Sequence, residues 1–531
     1  MRAVAGRTET RRGDRAVSGR RGDRRRATGL KVGAIGAVAV LSMALASSAP
    51  ITAMTGNVPI ATGFGTGVHT PGAFLLAMVV LVVFTVGYAA MSRHVTATGS
   101  FYGYISHGLG RTAGMASGLL GTVAYVVFEG SLIGIFSSFT RSTIVAFGGP
   151  AITWVWIALM GIAAIAVMGY LGIELSGRVL GSFLIAEVVI LLVVGFAVLV
   201  QGGGPAGLVP GALDPLHALS PVPSDLRAGI VGSAGIGVFF CFWSWVGFET
   251  VAVYGEESRQ PKTMVPRTLF VAVIGIGVLY VFVSWMSIAG NGPSQAIDLA
   301  RSSDPFAMFF DVTRTFVGAW AEDLYRVLII TGSFACALAF HNTAARYIFA
   351  LGREAPTARG RRALGATHHR HRSPHVASVV QSAVTLLLIL LFFWFQRPSA
   401  TAPDVAYDDV YGLLAILGTM IILICQSLVS LSVISYFHIL GHHRETANLF
   451  RTLLAPLVGA VGMIYVVYLL FQNLSFAAGG AASSPFFAAI PWVVLAVGAL
   501  GVAYALVVRW RRPDLYAQLG RTVLSEVPDG G

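Results

Sequence analysis

Residues 242–257 read FWSWVGFETVAVYGEE. A glycine, Gly247, and a glutamate, Glu249, stand in the middle of a run otherwise suited to lipid. Glycine adopts open backbone geometry that other residues avoid. A charge at the bilayer centre costs about 2.5–3.5 kcal/mol on insertion scales, so an acid placed there needs an account. The two together read as a helix opened within a membrane, with an acid beside the opening to manage the polar groups released. Such unwound backbone is tolerated only where it is buried in protein or lines a watery cavity.

The rest of the chain supports a membrane setting. It is 55% hydrophobic and 11% charged, against about 25% charged in a soluble domain. A soluble protein of this composition lacks the polar groups to cover its surface. Measured against the roughly 20 residues a helix needs to cross the hydrocarbon core, the apolar runs predict an all-α integral membrane protein of about twelve transmembrane helices. The expected spans are 32–62, 72–91, 113–138, 151–172, 178–201, 229–255, 267–290, 323–352, 374–396, 409–438, 452–472 and 485–509. Arginines gather in the N-terminal segment, after spans two, six and eight, and at the C-terminal RWRRPD, while the alternate connections are acidic or mixed. By the positive-inside rule both termini are expected in the cytoplasm. Residues 1–30 read as a disordered basic tail, and 511–531 as a cytoplasmic tail. The dominance of arginine over lysine suggests a bacterial source and hence the inner (plasma) membrane.

Span one carries the second break. Pro50 lies well inside it, after the small residues Ala46-Ser47-Ser48-Ala49. Proline removes a backbone donor and disfavours helical geometry at the residue before it. Broken spans at positions one and six are the sequence pointer to an inverted repeat with a substrate site near the midplane. The candidate binding residues are therefore Ser47, Ser48 and Ala49 on span one, and Phe242, Trp243, Ser244 and Gly247 on span six.

FWSWVGFETVAVYGEESRQPKTMVPRTL resembles the sixth-span signature of the amino acid–polyamine–organocation permeases: an aromatic-Ser-aromatic-x-Gly-Phe-Glu run, acidic residues, and a basic-x-x-x-Pro-Arg segment. RYIFALGREA, 346–355, resembles the end of their eighth span. At the first break many members carry Gly-Ser-Gly where this chain has ASSAP. The resemblance implies the LeuT-like 5+5 inverted repeat, with a ten-helix core at 31–439 (repeats 31–201 and 229–439) and two additional C-terminal helices at 452–510. It implies secondary transport of an amino acid or related amine, with proton-coupled symport, exchange and a non-translocating sensor all open. By position, Trp243 matches an aromatic that closes over substrate, and Glu249 an acid that couples the gates. Glu187 falls where some proton-coupled members have a lysine on span five, so its carboxyl is a candidate to carry a proton or hold sodium. Ser333 on span eight is a candidate for a cation site beside the first break.

Other features are expected to matter less. Glu129 can meet a substrate amine or bond across helices; Tyr125, Asn342, Gln426 and Ser430 are weaker pocket candidates. The run LGATHHRHRSPH holds His368, His369, His371 and His375, but interleaved arginines would repel a metal ion, and a basic loop is the expectation. Cys241, Cys336 and Cys425 all fall within spans and read as small core hydrophobes. No HExxH is present, nor a GxSxG with a plausible partner set, so no enzyme is expected. No cofactor and no nucleic-acid partner is expected; a small-molecule substrate, a coupling ion (H+ or Na+) and the lipid bilayer are.

Overall fold

The computed structural model describes residues 30, 33, 35–96, 99–171, 173–222, 233–368, 373–399, 402–474 and 479–520. The basic segment 1–29, His369, His371 and residues 521–531 lie outside the described residues. Among those described, helices dominate, and the strand-type pairings are two isolated bridges, Ile35 with Ser258 and Gly204 with Gly207.

Eleven helices are long and apolar enough to cross a membrane: Ala37–Phe64, Gly67–Ser92, Arg111–Ala146, Gly181–Val200, Ala234–Ala252, Pro261–Asn291, Ala319–Arg353, His375–Phe395, Val405–Ile439, Phe450–Gln472 and Pro485–Arg511. Between the third and fourth of these, Trp154–Leu171 is a further apolar helix, about 27 Å long at 1.5 Å per residue. Counting it gives twelve spans in chain order, in the expected places.

The differences lie in lengths and connections. Span three has 36 residues, where a single crossing over 113–138 is expected. Three short helices, Ser100–Gly108, Pro293–Ala300 and Ala307–Phe316, occupy connections between the expected spans. The segment after span twelve begins as a docked piece: Leu519 is buried with Tyr102, Met115, Ala505 and Val508.

Burial ranks the spans. In span six 94% of the most apolar window is enclosed by protein, against 17% in span twelve, so the helix carrying Gly247 and Glu249 is the centre of the bundle. The outer spans keep lipid-facing stripes, as on span five, where Ile185, Val189, Val193, Phe196 and Val200 recur every three or four residues and are exposed. Span one packs on spans five, six, seven and eight, and span three on eight, ten and twelve.

One end of the bundle gathers both ends of the described chain. Ile35 N–H donates to the Glu257 carbonyl at 3.0 Å, and Arg259 N–H to the Ile35 carbonyl at 3.2 Å. Arg353 pairs with Glu256 at 2.9 Å. Gly520 N–H and the Tyr102 hydroxyl both donate to the Glu354 carboxylate. This is the arginine-rich end.

Candidate functional site

The first break follows from one missing donor. Pro50 has no N–H for the Ala46 carbonyl, which instead accepts from Ala49 N–H at 3.1 Å. Ala49 turns left-handed, φ 39° and ψ 73°, and a second helical half starts at Pro50. The carbonyls around the break find partners from other spans. Ser47 C=O accepts from the Cys336 thiol at 3.1 Å, and Ser48 C=O from the Tyr280 hydroxyl at 2.6 Å. The Ser47 and Ser48 hydroxyls turn back onto the Met43 and Ala44 carbonyls of their own helix.

The second break faces the first. Span six is helical to Ser244; Gly247 then takes φ 117°, and 248–252 continues as a tighter 3₁₀ turn. Glu249 serves the opening directly. Its Oε2 accepts from Gly247 N–H at 3.0 Å, and its Oε1 from the Tyr125 hydroxyl of span three at 2.9 Å. A Cβ added to Gly247 would lie 2.6 Å from Ser47 Cβ and 2.7 Å from its carbonyl carbon. The two unwound segments are thus in van der Waals contact, and a glycine permits it.

Where they meet is a small cavity of about 20 Å³. Its lining includes Ser47, Ser48, Ala49, Thr52, Asn57, Phe128, Ser131, Trp243, Ser244, Phe340 and Tyr411. That is room for one or two waters, so a larger solute enters only when helices move. No lining residue is formally charged. The polar atoms come from hydroxyls, one amide and backbone, and the walls from four aromatic rings. Thr52 Oγ1, in the first turn after the break, is buried without a partner.

A hydrogen-bonded strut spans this cavity. Asn57 Nδ2 donates to Ser244 Oγ at 2.9 Å, and the Tyr411 hydroxyl donates to Asn57 Oδ1 at 2.6 Å. Ser131 Oγ donates to the Tyr411 carbonyl at 2.8 Å. An aromatic file closes the end away from the arginines: Phe240 on Trp243 at 5.0 Å, Trp243 on Tyr411 at 4.8 Å, then Tyr407 and Phe306.

Of the expected binding residues, Ser47, Ser48, Ala49, Trp243 and Ser244 line the cavity; Phe242 and Gly247 do not, though Gly247 touches Ser47. Glu187 is buried behind the first break. Its carboxyl packs beside Gly332 of span eight, where an added Cβ would lie 2.6 Å from Ile51 Cγ2 and 2.9 Å from Glu187 Oε1. Ser333 is also buried, but its hydroxyl is spent on the Ile329 and Ile330 carbonyls of its own helix. One turn on, Cys336 makes the contact to the break, so this cysteine does more than fill space. Asn342, Gln426 and Ser430 lie off the cavity lining. Asn57, Ser131, Cys336 and Tyr411 are the site residues that the sequence reading passes over. Asn57 had a signal: it is two turns past Ala49 and so on the same helical face.

Ala49 is one of the few non-glycine residues with positive φ, a conformation costing about 1–2 kcal/mol in an L-residue. Ala49→Gly is therefore expected to keep transport within about twofold, whereas the β-branched Ala49→Val should lower it about tenfold. Uptake normalised to reconstituted protein measures both; unimpaired Ala49→Val would show that the left-handed turn is not needed.

Residues 35–500 match the family described as Amino acid permease. The low-affinity putrescine importer PlaP of Escherichia coli (strain K12) is 24% identical over 440 residues, 81% of this chain and 87% of that protein. The uncharacterized transporter Rv1999c of Mycobacterium tuberculosis strain H37Rv is 27% identical over 360 residues, 67% of this chain and 68% of the relative. The matched region contains both breaks and the cavity between them.

Proposed function

This chain belongs to the amino acid permease family, and on that premise we propose that it is a secondary active transporter moving an amino acid or related amine across the membrane by alternating access. One observation carries the reading: two helices broken five spans apart, at Ala49 and Gly247, abut at one buried aromatic cavity. In this scheme spans one to five and six to ten act as inverted repeats, with the arginine-rich end in the cytoplasm.

The lining suits a small solute bearing an ammonium group. Aromatic faces attract cations, and Trp243, Tyr411, Phe128 and Phe340 supply four. Hydroxyl oxygens of Ser131, Ser244 and Thr52 supply acceptors. Thr52 also lies at the N-terminus of a half-helix, the kind of position that receives a substrate carboxylate. The similarity to a putrescine importer supports testing diamines beside amino acids.

Glu187 is the proposed coupling group. It lies beside Gly332 of span eight, as does Ile51 in the first turn after the break, so it sits where those two elements meet. One of its oxygens is buried without a partner, which suits a carboxyl that takes up a proton.

The test is uptake of labelled putrescine and of a labelled amino-acid mixture into proteoliposomes, with and without an inward proton gradient. Gradient-driven accumulation is the expected result; accumulation only against preloaded substrate would mean an exchanger, and binding without uptake a sensor. Glu187→Gln keeps the size and shape of the side chain but cannot carry the proton. It is expected to lose at least about tenfold of the gradient-driven component, in line with removal of a required proton carrier, while substrate counterflow persists. Undiminished gradient-driven accumulation in Glu187→Gln would remove this residue from the coupling.

A further inference from the structure

We infer that Glu129, His341 and Ser378 form a second, buried proton-binding site behind the substrate cavity. The inference extends the proposed proton coupling and rests on that reading only for its role in transport.

The three residues come from three spans. Glu129 is midway along span three, His341 lies on span eight and Ser378 in the first turn of span nine. His341 Nδ1 is 3.0 Å from Glu129 Oε2, and Nε2 is 2.7 Å from Ser378 Oγ. Gln381 Nε2 also donates to Glu129 Oε2, at 2.6 Å, and reaches Thr385 Oγ1 at 3.2 Å. Glu129 and His341 are wholly buried. Two acceptors in this cluster, Glu129 Oε1 and Gln381 Oε1, are buried without a partner.

The imidazole holds the proton in this chemistry. Neutral, it carries one ring N–H and accepts at the other nitrogen. With a second proton bound, Nδ1–H donates to the Glu129 carboxylate and Nε2–H to the Ser378 hydroxyl oxygen. Only N–H and O–H bonds change, and the proton leaves by the reverse step. Histidine is the side chain whose charge changes near neutral pH.

Glycine and aromatic contacts from neighbouring elements enclose this site. On span four, a Cβ added to Gly169 would sit 2.5 Å from His341 Nε2 and 2.8 Å from Ser378 Oγ, so glycine lets the backbone close over the ring. The next residue, Tyr170, packs its ring on His375 at 6.0 Å and on His368 at 5.5 Å. His375 opens span nine one turn before Ser378. His368 and His375, the described histidines of that run, thus pack on the residue that follows the glycine closing over His341. On span three, Tyr125 is engaged with Glu249; on span eight, Arg346 is turned to Glu257; from span ten, the contact is Leu414 against Gly130. The other wall of the site is the cavity, since Phe128, Ser131 and Phe340 line it.

Infrared titration of the full-length protein in lipid nanodiscs, pH 5 to 9, tests the site itself. The wild type is expected to show an imidazole and carboxylate transition that vanishes in His341→Gln. Ser378→Ala, which keeps both ionisable groups, should shift its midpoint. A transition unchanged in His341→Gln, no transition in the wild type, or an unshifted midpoint in Ser378→Ala overturns the proposal, whether or not transport is proton-driven. In proteoliposomes His341→Gln should lose at least tenfold of gradient-driven accumulation but keep counterflow, which moves no net proton; equal loss of both overturns the carrier role. A wild type indifferent to the gradient would refute proton coupling while the infrared result still decides the site.

Discussion

Gly247→Ala is expected to reduce transport about 100-fold, because it adds a backbone strain of about 1–3 kcal/mol to an overpacking cost of similar size. The strain arises because φ 117° is a region L-residues avoid. The overpacking arises because the new methyl meets Ser47 Cβ at 2.6 Å and Ser47 backbone at 2.7 Å. Neither neighbour is the loose end of a flexible side chain. Relief requires that span six regain helical geometry or that the two breaks separate. The first removes the N–H that Glu249 accepts, and the second dismantles the cavity. The control is Gly275→Ala on span seven, where an added Cβ meets nothing within 4 Å; it should transport within about twofold of wild type, as a neutral surface change does. Equal uptake by Gly247→Ala and Gly275→Ala, at matched reconstitution, would sink the account of the second break.

The same glycine shows how much of this architecture can be read from sequence. Gly247 and Pro50 announce the breaks because their effects are local: one permits a conformation and the other deletes a donor. Apolar length likewise places the spans, since crossing a bilayer is a matter of residue count. What sequence does not reveal is rotation. A helix apolar on all sides has no face that names its neighbour. Span six must be seen against span one before Ser244 and Asn57 become partners across 187 residues. Glu129 reads as meeting a substrate amine or bonding across helices, but its partner His341, 212 residues away, is invisible until spans three and eight are docked. Tyr411 was hidden differently. Tyr411 falls inside the expected tenth span, but its segment VAYDDVY gives no sign that the ring meets the first break; the chain there is a wide helical turn entering that span. The ASSAP departure from Gly-Ser-Gly is resolved by Ala49, which takes the left-handed turn itself.

The other large effect is expected at the arginine-rich end. Arg346 and Glu257 form a two-pronged pair, Nε to Oε2 at 2.7 Å and Nη2 to Oε1 at 3.1 Å, and both side chains are almost wholly buried. The guanidinium also donates to the Asn342 carbonyl and lies 4.9 Å from the Tyr254 ring centre. Arg346→Ala would strand the Glu257 carboxylate, and removing one partner of a buried pair costs about 3–5 kcal/mol. Thermal unfolding in detergent should register this as a clear fall in midpoint. Arg346→Lys keeps the charge but not the fork, so it should fall between. The pair costs desolvation as well as giving attraction, so Arg346→Ala combined with Glu257→Ala should recover part of the single-mutant loss. A double mutant that merely adds the two losses would contradict the pairing. The functional consequence follows from what Glu257 also holds: its backbone carbonyl receives Ile35 N–H, so one residue ties span eight to the start of span one. Under the proposed alternating access, that tie would part on every cycle. Transport by the double mutant should therefore survive with the arginine-rich end biased open, seen as faster labelling of a cysteine placed at Ser47 from that side. A label rate equal to wild type would mean that closure of this end rests on other contacts, such as Arg353 with Glu256.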